Sequence, residues 1–540
     1  MLEKPKLKNK KFLQNYPKFL AILSGSLCAI AFAPFNFFFV LLIALPILYF
    51  LLEENNSKKI TFLHGFCFGY GYFLFGIYWI AISLLVDAQK FAWLIPFALT
   101  AIPGFLALYF GLLAIFYRLI IEKFSLKFHY QKILILAMLW VIFEALRSTL
   151  FSGFAWNLLG YAWLFSIYSS QSASLFGVYF LSFLAVITAL LPIIFLDKKS
   201  VKADKNFAFI VIFILLINFI FGFFTIKNSQ NIPQNISRSL DKIRLVQANI
   251  KQDIKWQENE RYNNFLKHIE LTRSMPLENV KAVIWAETSI PYIIENDSRL
   301  MPLLKLAIPK DGELITGGLR VERTKNNEIS KVFNSVFMIN SQGIVATYDK
   351  HHLVPFGEYV PLQKFFSFLF IDEIIDKITG GGTGFSFGNG AQTINANYFS
   401  FNPLICYEVI FSREIISKNQ HPDLFINITN DAWFGNSSGP YQHLAIAQMR
   451  AIEYSIPLIR VAGTGISASI DANGKIVEKI DLNQEAVVDV ALLRRSDYSF
   501  YHQYGNISII FIFISIWFFI TKSFIIKHFK NLLIKNIVNK

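Results

Sequence analysis

Charge is scarce in this 540-residue sequence: 16% of residues are charged, against 54% hydrophobic. A soluble globular chain carries more of the first and less of the second, so part of the protein is expected in a bilayer. Cysteine is scarcer still. Cys28, Cys67 and Cys406 show no CxxC or Cys/His spacing, which argues against a disulfide scaffold or a zinc site. No metal and no cofactor is expected. Acidic residues are few outside one block. Residues 228–505 hold 27 Lys+Arg against 29 Asp+Glu, and the remainder holds 24 against 8. The net charge of +14 therefore comes from the apolar part, where positive loops set membrane orientation, and nucleic-acid binding has no support.

What the sequence has in quantity is apolar runs. Seven precede residue 228, at about 18–33, 37–52, 60–85, 91–117, 133–149, 168–195 and 206–226, and an eighth covers about 506–521. Spanning helices need roughly 20 apolar residues, so the first two are short and suggest a tilted hairpin around Pro34. Pro96, Pro103, Gly65, Gly69 and Gly71 are candidate kink positions in the longer ones. The basic start followed by Ala31-Phe32-Ala33 resembles a secretory signal, but Pro34 disfavours cleavage, and an uncleaved anchor is expected. With the N-terminus cytoplasmic, 21 of the 24 cations of the apolar part fall on the inner side, leaving Lys90, Arg147 and Lys227 outside. Both termini are then cytoplasmic and the block 228–505 lies on the outer side. The expected domains are a seven-helix membrane part over 1–227, a catalytic domain over 228–505, and a last span with a basic tail over 506–540. An aromatic outer loop, Ser152 to Trp163, reads either as an interfacial belt or as the lip of a lipid-entry cleft.

Within 228–505, short apolar runs alternate with amphipathic stretches. Strands are expected at 244–250, 282–285, 313–316, 332–339, 344–348, 403–405, 424–428, 458–461, 467–470 and 486–490, with helices at about 259–274 and 441–454. This pattern predicts an α/β domain whose sheets are covered by helices. The long stretch between Pro361 and Asn402, with Gly380-Gly381-Gly382-Thr383-Gly384, predicts a lid or binding loop.

Three polar residues follow predicted strands: Glu287 after Val283-Ile284-Trp285, Lys350 after Tyr348-Asp349, and Cys406 after Pro403-Leu404-Ile405. Ligands gather at the carboxyl ends of strands in open α/β sheets, so these three can meet. A thiol near pKa 8.5 is only a few per cent thiolate at neutral pH and needs a base or a cation. Glu287 supplies the first and Lys350 the second, and Lys350 can also stabilise an oxyanion. Acyl transfer through a thioester follows. Singly, each residue is better read as structural: a buried cysteine, a turn cap, a solvated strand end.

Taken together they are more. The string Tyr348-Asp349-Lys350-His351-His352-Leu353-Val354-Pro355-Phe356-Gly357-Glu358 resembles the Lys-x-His-Leu-Val-Pro-Phe-Gly-Glu segment of bacterial apolipoprotein N-acyltransferases, membrane members of the nitrilase superfamily. Trp285-Ala286-Glu287-Thr288, Cys406-Tyr407-Glu408, Asn430-Asp431-Ala432-Trp433-Phe434-Gly435 and Gly439-Pro440-x-Gln442-His443 are similar to further elements of that family. Ala286 stands where the family usually has proline, Phe333-Asn334-Ser335 where Tyr-Asn-Ser is common, and Ala155 where the outer loop often has proline.

The resemblance implies an extracytoplasmic nitrilase-like αββα sandwich and eight transmembrane helices in the bacterial cytoplasmic membrane. It assigns Glu287 as base, Lys350 as oxyanion stabiliser and Cys406 as nucleophile. It makes Trp256, Glu358, Tyr407 and Glu408 supporting residues, with Trp433 a wall of the acyl pocket or a packing residue and His352 a structural hydrogen-bonder. The implied substrates are a phospholipid acyl donor and a diacylglyceryl apolipoprotein, handled by a monomer. Two other readings stand beside it: a membrane-tethered amidase or lipid hydrolase sharing the triad, and a non-enzymatic membrane protein, for which Glu144 beside Arg147 is the main charged feature within the predicted spans.

Overall fold

The computed structural model describes residues 16–54, 57–230, 241–297, 299–359, 384–417, 419–494 and 498–538. The chain forms two compact units. The first comprises Met1–Tyr78, Pro96–Phe223 and Tyr504–Lys540; the second comprises Trp79–Ile95 and Phe224–Gln503.

The first unit is helical. Its helices are Pro17–Cys28, Leu41–Glu54, Lys58–Gly76, Ile95–Phe124, His129–Arg147, Ala173–Leu196, Lys202–Gln230 and Ile507–Val538. By length and composition four apolar helices can cross a membrane among the described residues, at Ala88–Phe124, His129–Arg147, Ala173–Leu196 and Lys202–Ser229, while Pro17–Ala31 and Ile507–Lys522 are shorter. The chain reverses around Pro34 through two short 3-10 turns, Ala29–Ala31 and Phe38–Val40.

The glycines expected as kinks have another use. Lys58–Gly76 runs as one helix, and a Cβ on Gly65 would lie 2.4 Å from the Phe110 carbonyl oxygen, while one on Gly71 would lie 2.0 Å from that of Ile22. Gly25 answers from the facing helix, 1.9 Å from the Phe68 oxygen. These are small residues at which helix backbones touch. The one non-helical glycine inside these helices is Gly177, at φ 77°.

The aromatic loop is not an interfacial belt. Trp156 and Trp163 are 1% and 2% exposed, buried in the helical unit. Arg147 donates to the carbonyls of Phe154 (2.5 Å) and Trp156 (2.7 Å), and Glu144 accepts from the Leu159 amide at 2.7 Å and the Trp140 indole at 3.0 Å. A charged pair at a helix end thus supplies the partners that buried loop backbone requires.

The second unit is a pair of stacked sheets. Strands β1 (Lys242–Gln247), β2 (Val280–Trp285), β3 (Ile290–Ile293), β4 (Glu313–Arg323), β5 (Ile329–Asn340) and β6 (Gly343–Asp349) build the first with β13 (Ala486–Ala491). Its order is β13-β1-β2-β4-β5-β6, with β3 on β4. The second sheet has β7 (Ile394–Asn395), β8 (Ser400–Ile405), β9 (Leu424–Thr429), β10 (Leu458–Ala462), β11 (Ser467–Ile470) and β12 (Ile476–Ile480), in the order β12-β11-β10-β9-β8-β7. The centres are parallel, β1 with β2 and β2 with β4 in one sheet, β8 with β9 and β9 with β10 in the other. Their near-continuous apolar strands suit a sheet covered on both faces.

Alternation assigns the layers. Ile243, Leu245, Ala282 and Ile284 meet Ile405, Ile426, Ile428, Ile459 and Val461 in the core between the sheets. Val246, Val283 and Trp285 point the other way, against Phe265 and Ile269 of the helix Arg261–Arg273. Arg244, fully buried, ties that helix down. It forks onto Asp489 (2.7 and 2.9 Å) and donates to the carbonyls of Thr272, Met275 and Pro276. The helix Gly439–Tyr454 covers the second sheet. Among the described residues three strands went unanticipated, β3, β7 and β12: β3 has a proline inside its four residues, which argues against a strand, β7 has two residues, and β12 has an exposed middle.

Candidate active site

Each residue of the candidate triad sits just past a strand. Glu287 follows β2 by two positions, Lys350 follows β6 directly, and Cys406 follows β8 directly. Lys350 Nζ lies 3.7 Å from Glu287 Oε1 and 2.8 Å from Glu358 Oε1. The Cys406 thiol feels the charge of both Glu287 and Lys350. All three are at least nine-tenths buried.

Asn334 of β5 joins the cluster. Its Nδ2 donates to Glu287 Oε1 at 2.7 Å and to Glu358 Oε1 at 3.1 Å. Only the NH₂ end of the amide can bridge two carboxylates, which fixes the side chain's orientation. The Asn334 backbone carbonyl accepts the Lys350 backbone amide at 2.9 Å. Glu358 also accepts the Val354 amide through Oε2 at 2.8 Å, so this carboxylate fixes both the Lys350 ammonium and its own loop.

Burial is the first influence on Glu287, Lys350 and Cys406 alike. It raises the Glu287 carboxyl above its ordinary range; the Lys350 charge opposes this and the Glu358 charge adds to it. It raises the Cys406 thiol, with Glu287 adding to the effect and Lys350 opposing it. It disfavours the Lys350 ammonium, yet Glu358 and Glu287 outweigh it and the pKa is raised. A fixed cation thus stands beside an acid and a thiol that both hold their protons more tightly than usual.

The Cys406 turn is strained. Cys406 has φ 51°, an uncommon conformation for a non-glycine residue and characteristic of functional turns. Two devices hold it. Glu408 reaches back to accept the Ile405 amide (2.7 Å) and the amides of His351 (2.8 Å) and His352 (3.2 Å), and it accepts the Tyr348 hydroxyl at 2.9 Å. From the other side His443 Nε2 lies 3.2 Å from the Cys406 carbonyl oxygen; a carbonyl only accepts, so Nε2 carries the hydrogen. The His443 Nδ1 edge meets Asp431 Oδ1 at 2.9 Å and Arg460 Nη2 at 3.1 Å, and Arg460 pairs with Asp431 at 2.5 Å. The two downstream motifs are therefore one buried support for the cysteine turn. Gln442 of the same motif accepts the Trp79 indole N–H at 3.1 Å.

The remaining expected residues scatter around this centre. Tyr407 packs its ring on Phe411 at 5.0 Å. His352 bonds Glu414 at 2.6 Å and stacks on Phe411, whereas His351 is the histidine that pairs with Glu408, at 2.8 Å. Trp433 is 40% exposed. Trp256 is half-buried, its carbonyl accepting Arg261 Nε at 3.1 Å. Residues 361–383 of the expected lid lie outside the described residues. The described portion that follows runs along the site, with Phe385 bonded to the Glu358 carbonyl and Gly388 to the Lys350 carbonyl, both at 2.8 Å.

Sequence reasoning did not name Lys255 or Arg460. Lys255 is buried and bonds the backbone of Glu287. Arg460 carried a usable signal, a charge in the middle of the apolar run Leu458-Ile459-Arg460-Val461. Such a residue is fully buried only when paired.

Comparison with known proteins agrees with this layout. A family model described as Apolipoprotein N-acyltransferase N-terminal domain matches residues 24–191, and one described as Carbon-nitrogen hydrolase matches residues 242–499. The apolipoprotein N-acyltransferase of Rhizobium rhizogenes is 34% identical over 488 residues, covering 88% of this chain and 89% of its own. That of Rhodopseudomonas palustris is 35% identical over 488 residues, with 88% and 89% covered. That of Rickettsia typhi is 34% identical over 497 residues, with 91% and 95% covered.

Proposed function

This chain belongs to the apolipoprotein N-acyltransferase family, and from that premise we propose that Cys406 carries an acyl chain from a membrane phospholipid to the α-amino group of an apolipoprotein's N-terminal diacylglyceryl-cysteine. The observation that carries this reading is the buried cluster of Cys406, Glu287, Lys350 and Glu358, because it combines a thiol, a base and a fixed cation.

In the first half-reaction Glu287 takes the thiol proton as sulfur attacks the ester carbonyl carbon. The carbonyl oxygen becomes an oxyanion beside the Lys350 ammonium. As the tetrahedral intermediate collapses, the ester C–O bond breaks, and the proton on Glu287 passes to the departing lysophospholipid oxygen. A thioester remains. In the second half-reaction the acceptor amine attacks the thioester carbonyl, Glu287 takes the amine proton, and the C–S bond breaks to release the amide and the thiolate, which is reprotonated. A carboxyl raised by burial suits both duties, since it is a stronger base than an ordinary carboxylate.

The four long apolar helices and the family make this an integral membrane protein. The finer placement belongs to the proposal: the bacterial cytoplasmic membrane, the catalytic domain on the periplasmic side, both termini cytoplasmic, eight spans and a monomer. The excess of basic loops on one side supports it.

Intact-mass analysis after incubation with a phospholipid of defined chains tests the chemistry. One acyl increment is expected, mapped to Cys406 and discharged by a diacylglyceryl-cysteine peptide to form an amide. Free fatty acid in place of that amide would make the protein a hydrolase.

A further inference from the structure

The turn that carries Glu287 holds a second buried cation. Lys255 ends the one-turn helix Gln252–Lys255 and is 8% exposed. Its Nζ donates to the Glu287 carbonyl at 3.0 Å and to Thr288 Oγ1 at 2.7 Å. The short helix is held from behind by Asn264, whose Nδ2 donates to the carbonyls of Ile254 (3.3 Å) and Lys255 (3.4 Å). What the ammonium grips is strained. Thr288 has φ 49°, which a β-branched residue adopts only when its surroundings impose it. Across the turn, a Cβ on Gly317 would lie 2.4 Å from the Thr288 nitrogen and 2.7 Å from the Glu287 Cα.

We propose that Lys255 is a positioning residue: its ammonium clamps the Glu287–Thr288 turn, keeping the Glu287 carboxylate in contact with Asn334 and Lys350, and places a second positive charge on the Cys406–Glu287 pair. This rests on the reading of Cys406 as nucleophile and Glu287 as base. The charged and titratable groups around Lys255 are Glu287 and Cys406 on the site side and His268 on the helix behind, with Lys350 and Glu358 acting on Glu287 from beyond. Burial brings the Lys255 ammonium down to about 8, against the opposing pull of Glu287 and Cys406. The charge is therefore present at neutral pH and lost in mild alkali. The motif's threonine acquires a role as well, as the side-chain half of the clamp.

The test uses the full-length protein and two readouts: the pH profile of Cys406 alkylation by iodoacetamide, followed on its own peptide, and the rate of acyl adduct formation from phospholipid. In Lys255→Met the alkylation rate at neutral pH, where the wild-type ammonium is charged, falls about tenfold, because the thiolate has lost a cation, and the deficit narrows in mild alkali as the wild type's Lys255 loses its proton. Lys255→Arg keeps the charge and a neutral-pH rate near the wild type's. Thr288→Val keeps the charge and the neutral-pH alkylation rate, but slows adduct formation about tenfold by loosening the turn. An unchanged neutral-pH alkylation rate in Lys255→Met, or Lys255→Arg behaving like Lys255→Met, overturns the electrostatic role. If Lys255→Met does not accumulate folded, Thr288→Val decides, and an undiminished adduct rate there overturns the clamp. A wild-type protein that forms no adduct on Cys406 defeats the proposed function instead, while the alkylation profiles still report on Lys255.

Discussion

The candidate triad draws Glu287 and Lys350 from the first sheet and Cys406 from the second, and the turns of Glu287 and Cys406 use the same local device with opposite chemistry behind it. The first sheet ends β2 in a turn where Thr288, next to Glu287, has φ 49°; the second ends β8 in a turn where Cys406 itself has φ 51°. Neither is glycine, so both turns are held by their surroundings. Behind the acid stands a cation, Lys255. Behind the thiol stand an anion, Glu408, and a neutral donor, His443, itself braced by the Asp431–Arg460 pair. The cation favours the ionised form of Glu287. The anion is engaged by three backbone amides, a hydroxyl and His351, so it fixes the Cys406 backbone at little electrostatic cost to the thiolate.

The largest effect comes from removing the Cys406 thiol itself. Cys406→Ala is expected to lower acyl transfer by about 10⁴-fold or more, with membrane insertion and thermal stability unchanged. Turnover within tenfold of the wild type would end the thioester route.

Next is the support under the cysteine turn. Asp431→Ala leaves Arg460 buried and unpaired, and removing one partner of such a pair costs about 3–5 kcal/mol. The expected signature is a fall in thermal stability together with loss of Cys406 alkylation specificity. Replacing both residues at once should recover part of the stability, which a double-mutant cycle measures. A null coupling would mean that the network does not act as a unit.

Much of this comparison was legible from sequence, and the reason is physical. Glu287 and Cys406 were found because parallel strands with both faces covered are apolar throughout, so a polar residue just after one stands out. Lys350 follows an antiparallel, half-buried strand, and the motif around it is what marked it. Apolar runs located ten of the thirteen strands among the described residues, and they failed at β12, whose middle faces solvent. The supports were harder to see. Lys255 meets Glu287 across 32 positions, and His443 meets Cys406 across 37. Nothing in the local pattern around a lysine on a one-turn helix says what lies opposite. The aromatic loop failed for a related reason: composition suggests an interface, while burial of its tryptophans depends on Arg147 and Glu144 satisfying the loop's backbone.

The smallest predicted effect separates the two turns most cleanly, because the two carboxylates respond to pH with opposite sign. Glu287 is raised, with burial dominating. Its folded form binds protons more tightly than the unfolded chain, so its ionisation costs stability as pH rises through the ordinary carboxylate range toward the raised value. Glu408 is lowered: burial opposes its charge, but His351 and the Ile405 amide outweigh it. Its stabilising contribution is complete above the ordinary carboxylate range and is lost as pH falls through the depressed value. Glu287→Gln should therefore leave the protein inactive yet more stable at neutral pH, by about 1 kcal/mol. Glu408→Gln should destabilise it by about 1–3 kcal/mol at neutral pH, with the difference from wild type shrinking as the solution is acidified. Denaturant midpoints of both variants at two pH values check this. Equal signs would show that the two turns are held by the same physics after all, and that the cation behind the acid and the anion behind the thiol are interchangeable scaffolding.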